Sequence, residues 1–78
     1  MNQYLISRTN EPFMVTHFLT DRTQEMLVRG SEVLGPIDNL EKNAEDYVFN
    51  LGEIDGIFVV SKRDGIVLSE NELNKYGL

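Results

Sequence analysis

The chain has 78 residues, carries 7 Lys plus Arg against 13 Asp plus Glu for a net charge of −6, and contains no Cys or Trp. That is one small domain (1–78) without disulfide staples, thiolate metal centres or thiol nucleophiles. Its longest apolar run, Ile57-Phe58-Val59-Val60, is far short of the roughly 18 residues of a membrane-spanning helix, and its start has no basic run followed by a long apolar stretch. A cytoplasmic protein is the expectation.

Residues 3–8 read as a first strand and 13–20 as a second, with turn chemistry at Thr9-Asn10-Glu11-Pro12 joining them as a hairpin. The second strand sorts its side chains by period two. Phe13, Val15, His17 and Leu19 share one face, and Met14, Thr16, Phe18 and Thr20 the other. Residues 21–35 admit two readings. Asp21 and Gln24 suit the start of a short helix. Alternatively Glu25 to Arg29 is a strand turning at Gly30-Ser31 into Glu32-Val33-Leu34, which β-branched Val28 and early Gly30 favour.

Residues 38–51 predict the main helix. Asp38 is a suitable N-cap with Glu41 at the reciprocal position, and Gly52 is a natural stop. Leu40, Ala44, Tyr47, Val48 and Leu51 recur at helical spacing. Residues 57–69 predict a second hairpin around Asp64-Gly65. Ser69 and Glu72 then form a capping box, with Leu68 and Leu73 as its hydrophobic staple, opening a short helix over about 70–76. The sum is an α+β fold: a small two-layer sandwich with an antiparallel sheet of about four strands, one main helix (38–51) and a short C-terminal helix.

Charge is unevenly placed. Glu32, Asp38, Glu41, Glu45, Asp46, Glu53 and Asp55 stand against Lys42 alone in residues 31–55, so this window holds the whole net charge of −6. Such a field repels nucleic acid and anionic membrane and attracts basic partners. On the expected helix, at about 100° per residue, Phe49 falls at about 180° from Leu40, opposite the apolar face and between Glu45 and Asp46. An apolar ring among carboxylates has the make-up of a binding anchor. Asp38, Glu41, Glu45, Asp46 and Phe49 are therefore the candidate partner-binding residues.

Little in the chain suggests catalysis. The six glycines are scattered and form no phosphate-binding loop. His17, the only histidine, sits mid-strand among apolar residues, which suits a core or edge histidine with a local partner. With one His and no Cys, no transition-metal site is expected, and no cofactor or catalytic residue is assigned.

The stretch EIDGIFVVSKRDGIVLSE (53–70) resembles the late segment of the amino-terminal domain of Nfu-type iron–sulfur scaffolds, and HFL at 17–19 resembles its second strand. That family's signature before the second strand is replaced here by Thr9-Asn10-Glu11-Pro12. The same stretch is similar to the hairpin of roadblock-type dimerisation domains, which are longer than this chain. These resemblances imply a scaffold-type or dimerising domain. From the residues themselves, the expectation is a non-enzymatic interaction module, an adaptor or inhibitor, presenting an acidic helix face and Phe49 to a basic protein. A nucleic-acid-binding enzyme, as met by phage-encoded inhibitors, is one such partner. The alternative is a structural subunit that homodimerises through the sheet of residues 57–68, whose strands are apolar on both faces.

Overall fold

The computed structural model describes residues 2–77. Seven strands are followed by one helix: β1 (Gln3–Ser7), β2 (Phe13–Phe18), β3 (Thr23–Val28), β4 (Leu34–Lys42), β5 (Asp46–Asn50), β6 (Ile57–Ser61), β7 (Gly65–Ser69) and α1 (Glu70–Lys75). All strands join one antiparallel sheet in the order β3-β2-β6-β5-β4-β1-β7.

This sheet is not flat. β6 is third in the order and β7 seventh, a lateral distance of about 19 Å at the usual strand spacing. The link from Ser61 to Gly65 reaches roughly 15 Å at full stretch. The sheet must therefore curl until β7 comes back toward β6. Contacts agree: a Cβ on Gly65 would stand 3.5 Å from Val60 Cγ2 on β6 and 2.9 Å from Leu5 Cδ1 on β1. Arg8 fastens the same corner, its backbone N–H donating to the Asp64 carbonyl (2.9 Å) and its Nε–H to the Lys62 carbonyl (2.8 Å).

Curling gives the sheet an inside. Leu5, Phe13, Val15, Val28, Ile37, Tyr47, Phe49, Phe58 and Val60, from six strands, form one buried cluster. No helix lies over it, because α1 packs on β7 and β1. There Leu73 joins Ile6 and Leu68 in a second, smaller core. The expected capping box is present: the Ser69 hydroxyl accepts from the Glu72 N–H, and the Glu72 carboxylate accepts from the Ser69 N–H.

The expected two-layer α+β sandwich with about four strands is thus replaced by one seven-stranded curled sheet, and the expected main helix over 38–51 is absent. That segment is β4, a turn and β5. Asn39 has φ 52, outside the helical region, where the β4–β5 register shifts between Asp38 and Glu41. Ala44, counted on the helical face, is exposed in the turn, which the Asn43 N–H closes by donating to the Asp46 carbonyl at 3.0 Å. The Asp38–Glu41 capping signal is local and modest in energy. The period-two run Asp46-Tyr47-Val48-Phe49-Asn50 buries two aromatics at once when paired with β6, and that burial decides the segment.

Strand positions agree better than pairings. β1, β2, β6 and β7 lie where their residues suggest, and within residues 21–35 the strand reading holds over Thr23–Val28, followed by a turn at Gly30-Ser31 before β4. Yet β1 and β2 are not paired, nor are β6 and β7. Their short links cross the mouth of the curl instead of closing hairpins. Among the described residues no helix is long and apolar enough to cross a membrane.

Candidate interaction surface

Alternation along each strand assigns one set of side chains to the core and the next to water. On β2, Phe13, Val15 and His17 are buried, whereas Met14 and Phe18 are exposed. Phe18 is opposite Ile57 on β6, Thr16 opposite Val59, and Met14 opposite Leu27 on β3. Val59 is in turn opposite Val48 on β5. Adjacent strands thus carry two outward apolar pairs, Phe18–Ile57 and Met14–Leu27, with Val48 and Val59 half-buried beside them and Thr16 opposite exposed Glu25 between them. Phe18 and Ile57 are each 46% exposed and Leu27 67%. α1 lies on β7 and β1, away from these pairs.

The candidate carboxylates flank them. Asp38 is opposite Asn50 and Glu41 opposite Val48, so both belong to the outward side of β4, on the same side as the pairs. Asp46 is opposite Ser61 on the same side of β5. Glu45 lies in the β4–β5 turn, where its carbonyl accepts from the Lys62 N–H at 2.9 Å, and the Lys62 ammonium donates to the Asn43 carbonyl. Among the described residues the one ion pair is Arg22–Asp21 at 3.8 Å, outside the acidic window.

Phe49 is a correction. It is 1% exposed and stacks on Phe58 with ring centroids 5.6 Å apart. On a strand, residue 49 takes the same side as Tyr47, not the side of Asp46. There is no acidic helix face and no exposed Phe on it. The structure keeps Asp38, Glu41 and Asp46 on one surface, with Glu45 at its end, and removes Phe49 to the interior. The exposed phenylalanine is Phe18. Its signal was already present in the alternation on β2, but which face looks inward depends on neighbours far away in sequence.

At one end of the sheet, residues 33–36 and the β5–β6 loop border an open, largely apolar cavity of 250 Å³, lined on the loop side by Leu51, Gly52 and Ile54. This loop is firmly built. The Ile54 N–H donates to the Leu51 carbonyl at 3.0 Å. His17 Nε2 meets the Asp55 carbonyl at 2.7 Å, and its ring stacks on Phe58 at 4.1 Å with an 8° interplanar angle. Gly56 has φ +99, and a Cβ there would be 2.6 Å from His17 Nε2, so the close approach of loop and histidine needs glycine. His17 is thus a buried histidine with a local carbonyl partner. Among the described residues no group of three His, Cys, Asp or Glu is arranged to hold a metal.

The chain matches no known protein family, no characterised protein and no solved structure.

Proposed function

We propose that this chain is a small acidic interaction module, an adaptor or inhibitor, that docks a basic protein on the outward face of β2, β3, β5 and β6. The observation that carries this is the exposure of Met14, Phe18, Leu27 and Ile57 to water beside Asp38, Glu41 and Asp46. Exposed apolar pairs with carboxylates around them are the usual make-up of a docking surface: the apolar groups supply desolvation, and the charges supply steering and choice of partner. The carboxylates at this rim have no ion-pair partner within the described chain, so a partner's Lys and Arg would find them free. Two copies of the chain, each at −6, oppose one another electrostatically, which favours a basic partner over self-association. A binding role without catalysis suits His17, whose ring is committed to Asp55 and Phe58. A chain with no cysteine is suited to the reducing cytoplasm.

The test is capture from a lysate of the source organism by the wild-type chain and by Phe18→Asp and Ile57→Lys, each checked for native circular dichroism. A basic protein captured by wild type, lost with either variant and weakened by added salt, is the expected result. Equal capture by folded variants overturns the proposal. Sedimentation showing a tight homodimer that Ile57→Lys dissociates would replace the basic partner with a second copy.

A further inference from the structure

The 250 Å³ cavity between residues 33–36 and the β5–β6 loop lies wholly inside the acidic window. Its wall segments alternate apolar lining with exposed carboxylates. Glu32 precedes Val33, Glu53 stands between Gly52 and Ile54, and Asp55 follows Ile54. The Asp38 carboxylate reaches the rim as well, its Oδ2 being 3.9 Å from where a Cβ on Gly52 would lie. The lining is apolar, Asp38 stands at its rim, exposed carboxylates occupy the chain segments that form it, and the one cation of the window, Lys42, is at the far end of β4.

Size narrows the occupant. The cavity is smaller than the roughly 300–1,000 Å³ typical of sites for drug-sized ligands and cofactors. It suits a single apolar side chain. Charge narrows it further, because Asp38 at the rim and the exposed Glu32, Glu53 and Asp55 of the same segments favour cations beside that side chain. We infer that the cavity receives one aliphatic anchor residue of an extended, Lys/Arg-rich segment of the partner. This inference rests on the docking proposal and gives the partner a local chemistry. Asp38 links the two surfaces: it edges the cavity and also lies opposite Asn50, next in the ladder to Ile57 of the outward face. The bonds that hold the β5–β6 loop, Ile54 to Leu51 and His17 to Asp55, fix the cavity before any partner arrives, so little ordering opposes binding.

The probe is a synthetic peptide with one central Leu flanked on each side by Lys and Arg. Two controls replace the Leu by Ala or the basic residues by Glu. Backbone amide shifts of the isotopically labelled full chain are followed during titration. The Leu peptide is expected to give saturable shifts at Val33, Leu34, Leu51, Gly52 and Ile54. The Ala control should bind about tenfold more weakly, and the Glu control should not bind. Asp38→Asn with Glu53→Gln should weaken the Leu peptide severalfold and reduce its salt dependence. Shifts confined to Met14, Phe18, Leu27 and Ile57 overturn the cavity inference and leave the docking proposal standing. Equal affinity for the Leu and Ala peptides also overturns it. With no shifts on either surface at millimolar peptide the cavity inference is lost, and the docking proposal is then judged by the capture experiment alone.

Discussion

The inward and outward faces of the same strands carry similar residues and have opposite fates. β6 places Phe58 and Val60 at 1% exposure while its neighbour Ile57 is 46% exposed. β2 buries Val15 and exposes Phe18. Hydrophobicity alone does not separate them. What does is the direction in which the sheet curls, the curl itself being required by short links such as Lys62 to Asp64 between strands that are not ladder neighbours. A residue's fate in this fold is therefore decided by strand parity together with the sense of curvature.

The sharpest way to break that contrast is at the centre of the core. Phe58 stacks on both His17 and Phe49. Phe58→Ala should cost about 3–5 kcal/mol, a large share of the about 4–12 kcal/mol expected for a domain of this size. Phe49→Ala should cost nearly as much. Urea unfolding checks both, and a Phe49→Ala midpoint close to wild type would put residue 49 on the surface and undo the assigned faces. Next in size is Gly56→Ala. Its Cβ would meet His17 Nε2 at 2.6 Å and the Phe18 carbonyl at 2.7 Å, in a backbone region that disfavours side chains. A loss of roughly 1–3 kcal/mol is expected, with shifted resonances for His17 and the β5–β6 loop.

A smaller effect belongs to the second core. Ser69→Ala removes the cap of α1 and should cost about 1 kcal/mol. The hydrogen bond from the Ser69 backbone N–H, and then the one with its hydroxyl, hold the Glu72 carboxyl below its usual 4.5. A carboxyl lowered in the folded state contributes stability that is present above its unfolded value and is lost as pH falls through its folded value. Helix content should therefore decline at the acid end of that range, and Ser69→Ala should flatten the decline. A pH titration of the helical circular dichroism signal reads this directly.

How much of this was legible beforehand depended on distance along the chain. The α1 capping box spans four residues and was readable in full. So was the split of β2 into Phe13, Val15, His17 against Met14, Thr16, Phe18, since period two is local. The segment 38–51 reads as a helix because Leu40, Ala44, Tyr47, Val48 and Leu51 match one by spacing, whereas the competing signal, the pairing of Asp46–Phe49 with Phe58–Ser61, is visible only once β6 is in place. The same gap misplaced Phe49. The carboxylates Asp38, Glu41 and Asp46 lie on β4 and β5 instead of on the expected helix. The cavity drew on residues 33–36 and 51–54, which no local pattern connects.

The smallest expected effect is on the outward face, and it is where the contrast becomes most exact. Phe18 and Ile57 are direct ladder partners, so each supports the other by the modest energy of a cross-strand pair, about 0.2–1 kcal/mol. Phe18→Ser or Ile57→Thr alone should lower stability by no more than that. Either change already removes the pair contact, so the double substitution should cost about as much as the larger single one and not their sum. The inward set behaves otherwise, because Phe49→Ala and Phe58→Ala each leave a cavity. Urea midpoints for the two singles and the double test this. A steep additive loss on the outward face would mean that Phe18 and Ile57 are structural after all, and the patch they form would then be explained by folding and not by a partner.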